Sequence, residues 1–156
     1  MVQPDDMIEH DDPFNLQRFI IAQEGIYQHV LIELSRGQKQ THWMWFIFPQ
    51  VEGLGFSATT QFYAIKSSAE ASAYLHHPVL GKRLRECTQA ILAIEGRSIS
   101  EILGYPDDLK LKSSMTLFAS VAEQGSLFAR VLDRYYQGKF DDRTILLLAK
   151  ANEKNR

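Results

Sequence analysis

The sequence predicts an all-α, multihelical single domain, and three observations carry that prediction. Cap-forming residues, Asp12, Ser67, Ser98, Ser126 and Asp141 or Asp142, stand immediately ahead of runs whose apolar residues recur at helical spacing. Glycines follow those runs at Gly37, Gly96, Gly104, Gly125 and Gly138, where a helix is commonly closed. No run alternates apolar and polar residues between hairpin turn signals. A chain of 156 residues fits one domain and buries roughly two thirds of its unfolded surface.

Residues 1–11 are acidic and polar and read as a flexible leader, so the helical domain is expected over 12–152. Asp12 followed by Pro13 opens a helix in which Phe14, Ile20 or Ile21, Tyr27, Leu31 and Leu34 recur, giving one long element that crosses Gly25 and stops at Gly37. Pro49 ends the next element by about Phe48, because the residue before a proline is pushed out of the helical region. VEGLGFSATT reads as a loop, and QFYAIK takes no assignment. Ser67 with Glu70 forms a capping-box pattern that opens a helix through Leu75. After His77-Pro78 comes a helix with a stripe of Val79, Leu80, Leu84, Cys87, Ile91 and Ile94. Ser98 caps ISEIL, Asp107 caps a helix with Leu111, Met115, Phe118, Ala119 and Ala122 on one face, and Ser126 opens the next around Leu127, Val131, Leu132 and Tyr135. RTILLLAKAN closes the fold.

Composition narrows the function classes. The chain is 45% hydrophobic and 23% charged with a net charge of −2, so it has no general attraction to nucleic acid or anionic membranes. A nucleic-acid role would have to rest on a local patch, and Lys82, Arg83 and Arg85 read as a solvated face. One cysteine, Cys87, excludes an internal disulfide and a cysteine-rich zinc site. The acidic start lacks the pattern of a secretory signal, and no run reaches the ~18 apolar residues of a spanning helix, so a cytoplasmic location is expected. Phosphate loops, dinucleotide glycine fingerprints, nucleophile elbows and paired-histidine metal helices are absent. His76 and His77 are adjacent, face different directions and make a poor chelate, so no metal-ligating residue is singled out and the cofactor is left open.

Two stretches remain as sites. HWMWFIFPQ, from His42 to Gln50, is apolar on every side whether helical or extended, and is expected to be buried all round. Two indole N–H groups and an imidazole then need partners, which leaves two readings open: the heart of the core, or one wall of a ligand pocket. In DDLKLKSSMTLF, Lys110, Ser113 and Ser114 fall at helical spacing and place one cation and two small hydroxyls on a strip suited either to a phosphate or sugar or to close helix approach.

HWMWFIFPQ, HPVLGKRL, KLKSSMTLF and FDDRTILLL, in this order from about Phe14 to Leu148, make the chain resemble the bacterial family called domain of unknown function 1810, some of whose members are labelled calpastatin. That label implies a disordered, repetitive inhibitor, whereas this composition is that of a protein with a core. HPVLGKRLRE and SSMTLF are also distantly similar to proteins of NAD and ADP-ribose metabolism that act on N-glycosidic bonds, although the acidic motif of that group has no counterpart beyond Ser68 to Glu70. The resemblances imply a compact helical domain and a nucleotide-like ligand, bound or hydrolysed. Its base would stack on Trp43 or Trp45 beside Gln50, its phosphates would meet Arg83, Lys110, Ser113 and Ser114, and His42 or Asp108 would serve as acid, base or charge stabiliser. The alternative is a non-enzymatic protein-interaction module whose aromatic segment is core only.

Overall fold

The computed structural model describes residues 12–154, so the acidic leader lies outside the described residues. Over that span the chain forms helices α1 (Gln17–Gln23), α2 (Tyr27–Ser35), α3 (Met44–Ile47), α4 (Ala58–Tyr63), α5 (Ser68–His76), α6 (Leu80–Leu92), α7 (Ile99–Leu103), α8 (Asp107–Ala119), α9 (Leu127–Tyr136) and α10 (Asp142–Lys154). No sheet interrupts them among the described residues; a single parallel bridge joins Val51 to Ile65, with Ile65 N–H donating to the Gln50 carbonyl and Glu52 N–H to the Ile65 carbonyl, both at 2.9 Å.

The long first helix is two helices. Pro13 is not its first residue: α1 begins at Gln17, after Asn15 at φ +54°, and Asp12 acts from outside the helix, its carboxylate accepting from the N–H groups of Leu16 and Gln17 at 2.6 and 2.9 Å. Gly25, however, takes φ +76° with open space around its Cα, and the backbone turns there, so α2 leaves at a new angle. Periodicity alone could not register this, because the apolar residues of both helices keep facing one core.

Several caps form as the sequence predicts. Ser67, Ser98 and Ser126 accept the N–H of Glu70, Glu101 and Ala129, and at Ser98 the Glu101 side chain reaches back to complete the reciprocal box. Asp141 closes the first turn of α10 by accepting from Thr144 N–H at 3.2 Å. Two expectations change. Asp107 is the first residue of α8 and makes no capping bond to it, since its carboxylate is drawn to two lysines instead. Glu70 does not complete a box with Ser67; it is 2% exposed and turns to Arg18. His77 uses Nδ1 to accept the N–H groups of Val79 and Leu80 just ahead of α6.

Helix α6 and helix α8 form the centre. Leu84, Cys87 and Ile91 of α6 and Leu111, Met115 and Phe118 of α8 are at most 1% exposed. Helices α2, α5 and α9 pack on α6, while α5, α7, α9 and α10 pack on α8. Aromatic rings run through this core in sequence: Phe19 to Tyr74 at 5.0 Å, edge on, Tyr74 to Phe118 at 5.3 Å, and Phe118 to Phe128 at 5.8 Å.

Candidate functional site

The aromatic segment is short because its own residues forbid more. Pro49 halts α3 after one turn, and the bridge at Val51 redirects the chain. Within it Trp43, Met44, Ile47, Phe48 and Pro49 are buried, Trp45, Phe46 and Gln50 are half-buried, and His42 is exposed. The expectation of burial on all sides therefore fails at both ends and also at Trp45 and Phe46 between them. At His42 the chain is still outside the core, in the surface connection that follows α2.

Trp43 is 1% exposed, and its indole N–H donates to Glu33 Oε1 at 3.0 Å. Glu33 is the anchor of the whole segment. It also accepts the N–H groups of Gln40 and Thr41, at 2.7 and 3.1 Å, and the Thr41 hydroxyl, and it meets His29 Nε2 at 3.0 Å. Burial pushes its carboxyl up, but these hydrogen bonds outweigh burial and hold it near a pKa of about 2. Nothing in the sequence singled out Glu33, because its partners lie across a turn that helical spacing cannot foresee.

The second stretch comes up beside the first. Lys110 Nζ lies 5.1 Å from the Trp45 ring centre and 3.5 Å from Asp107, and Lys39 Nζ lies 5.2 Å from the Trp43 ring centre and 2.9 Å from Asp107. One carboxylate and two cations thus cover the two indoles, an arrangement that saturates the charges internally. Asp108 accepts from the Ser100 hydroxyl at 2.8 Å, while its backbone carbonyl takes the Tyr136 hydroxyl. Ser113 donates to Leu109 O and Asp141 Oδ2, at 3.3 and 3.1 Å. Ser114 is fully buried, and its hydroxyl has no hydrogen-bond partner, as suits a small residue placed for close helix approach.

The fold therefore brings Trp43, Trp45 and Lys110 together, with Lys39 and Asp107 added. Arg83 belongs to a different cluster, 4.8 Å over the Tyr27 ring, with Nη1 on Gln23 Oε1 at 3.2 Å. His42 has no hydrogen bond to any other candidate among the described residues. The crevice that Trp45 and Gln50 share with Val51, Thr60, Tyr63 and Ala64 holds about 10 Å³, room for one water at most. A larger groove of about 640 Å³ opens where Phe14, Arg18, Phe62, Lys66 and Glu70 meet. Arg18 has no donor to offer there: its five N–H bonds go to the carbonyls of Phe62, Phe14, Asn15 and Ala64 and to Glu70 Oε2, at 2.7–3.0 Å. Cys87 is no nucleophile candidate, since burial pushes its thiol up to about 12.

What the geometry defines is a compact all-helical domain whose most distinctive residues are committed to one another. The family model described as "Protein of unknown function (DUF1810)" matches residues 13–148, and the chain belongs to that family. It is similar to a solved structure, the conserved hypothetical protein Rv1873 from Mycobacterium tuberculosis, with 53% identity and a TM-score of 0.87 over 88% of this chain and 99% of that one. No curated protein matches the chain. The likeness to proteins acting on N-glycosidic bonds gains no support from these matches. No helix among the described residues is long and apolar enough to cross a membrane.

Proposed function

We propose that the protein acts by binding a protein partner and not by catalysis, with the aromatic segment serving as core. The observation that carries this reading is Trp43, 1% exposed with its N–H satisfied by Glu33. An acid or base must reach a substrate proton within about 3 Å beside the groups that hold the substrate, yet Asp108, Lys110 and Ser113 are engaged with neighbours in the same chain, Arg83 sits in a separate cluster with Tyr27 and Gln23, and exposed His42 has no hydrogen bond to any of them. The surface that suits a partner lies at the N-terminal end of α8, where Tyr105 is 81%, Leu109 53% and Phe140 51% exposed. Tyr105 and Leu109 are four residues apart, and the Ser113 hydroxyl bonds both the Leu109 carbonyl and Asp141, the residue next to Phe140. Exposed apolar side chains gathered in this way favour contact with apolar groups of another protein.

A nucleotide-like ligand on Trp45 is the competing reading, favoured by the half-buried ring with a cation beside it. It requires Lys110 to leave both Trp45 and Asp107. Thermal unfolding of Trp43→Ala separates the two. The core reading expects loss of the cooperative transition; a folded variant that has lost a ligand response favours the pocket. In a thermal-shift screen against nucleotides, NAD, ADP-ribose and ribose phosphates, a ligand at 100 times its Kd adds about 2.7 kcal/mol. A saturable shift abolished by Lys110→Ala would overturn the interaction reading. A photo-crosslinking side chain at Leu109 is expected to trap a protein that the same group at Gln28 does not.

A further inference from the structure

A second groove, on the far end of α10, has a different character from the aromatic corner. It encloses about 330 Å³ between the Val51–Gly53 turn, Lys66 and the last turns of α10, with Leu147 and Val51 as an apolar floor. That volume is near the lower limit of small-ligand sites. Lys66, Lys150 and Lys154 line it, Glu52 is the one acid among its lining residues, and Arg143 reaches its edge, with Nη2 3.4 Å from the Gly53 carbonyl. In a chain of net charge −2, this is a concentration of positive charge.

No carboxylate among the described residues is ion-paired with these cations. Ion pairs among the described residues use Arg18, His29, Lys39 and Lys110; none involves Lys66, Arg143, Lys150 or Lys154. Their convergence is also built. Asn152 accepts Ser68 N–H at 3.3 Å and donates to the Ser68 hydroxyl at 3.0 Å. This clamp holds the stretch of α10 carrying Lys150 and Lys154 against the start of α5, two residues from Lys66. Gly53 takes φ +106°, a backbone conformation that favours glycine, and lies against Leu147, with a Cβ there 3.0 Å from Leu147 Cδ2. Arg143, Leu147, Lys150 and Lys154 recur at intervals of three and four residues, which puts them along one face of α10.

We propose that this groove binds a small ligand carrying two or three linked phosphate groups. Several lysines around one concavity favour clustered negative charge over a single carboxylate, because each adds a strongly hydrated point charge that one monoanion cannot satisfy. The lining holds no aromatic ring, so the groove recognises phosphate and not a base. A long nucleic acid is disfavoured, since the net negative chain repels a polyanion beyond the groove. Lys150 and Lys154 lie past the residues matched by the family model, whereas Lys66 and Arg143 lie within them. It is independent of the partner-binding reading and does not use Trp45 or Lys110.

Isothermal titration calorimetry of the full chain with sodium tripolyphosphate, pyrophosphate and orthophosphate tests the proposal. The expected result is saturable one-to-one binding of tripolyphosphate that weakens with added salt, with affinity falling from tripolyphosphate to orthophosphate. Lys150→Glu and Lys154→Glu are each expected to lower tripolyphosphate affinity about tenfold or more, with far-UV circular dichroism unchanged. The control Lys82→Glu, on α6 and outside the groove, is expected to leave affinity as it is. Absence of saturable heat, binding that survives Lys150→Glu together with Lys154→Glu, or tighter binding of a single-stranded oligonucleotide than of tripolyphosphate would overturn it.

Discussion

Glu33 shows what one buried carboxylate can organise. It gathers four hydrogen bonds from Gln40, Thr41 and Trp43, and so fixes the path from α2 into the aromatic segment. Its pKa is lowered from 4.5 to about 2, so the stability it contributes is fully present above the unfolded value and is lost as pH falls toward the folded one. Urea unfolding followed from pH 7 to pH 2 should therefore show stability declining below about pH 5. Glu33→Gln is expected to be less stable at pH 7 and to respond less to acid over this window. Parallel pH curves for the two proteins would remove Glu33 from the account. Sequence reasoning saw the consequence, an indole in need of a partner at Trp43, but not the partner, because hydrogen bonds across a turn leave no periodic trace.

Between helices, two glycines do different work. Gly81 sits on α6 where α5 ends, and a Cβ there would stand 2.0 Å from the Leu75 carbonyl oxygen and 2.9 Å from its carbon. Backbone cannot yield as a side-chain tip can, so Gly81→Ala must push α5 and α6 apart. It is expected to lose at least about 3 kcal/mol in chemical denaturation. Gly25 has open space around it, and its role is only the left-handed turn between α1 and α2, so Gly25→Ala is expected to cost about 1 kcal/mol. Equal losses for the two variants would contradict this distinction. The caps at Ser67, Ser98 and Ser126 were legible because a cap is settled within four residues. The break at Gly25 was not, because glycine is tolerated inside a helix at modest cost and only tertiary contacts decide whether the chain turns there.

At the scale of the molecule, Arg18 ties the start of the described chain to the end of α4, the Ala64 carbonyl and α5. Its partner Glu70 has a side chain only 3% exposed and also accepts Lys66 N–H at 3.0 Å. Arg18→Met leaves a buried carboxylate without its cation and is expected to cost about 3–5 kcal/mol by urea unfolding, much of it recovered when Glu70→Leu is added. Simple additivity of the two substitutions would show that the pair is not coupled. Neither residue stood out in the sequence. Arg18 falls within a helical run where a cation reads as surface, and Glu70 was explained by the capping pattern it only half completes.

The sequence by itself determined the helical class, most helix ends and the burial of Trp43, because caps, glycine stops and apolar spacing are local and recur along the chain. The resemblance in its motifs also placed it in its family. Only the tertiary structure decided which polar groups are already spent and which remain available. Lys110, Ser113 and Arg83 find partners on other helices or turns, whereas Lys66 and Lys150, far apart in sequence, come to line one groove. Whether a charged side chain is satisfied depends on neighbours brought in from distant segments, and no local pattern encodes them.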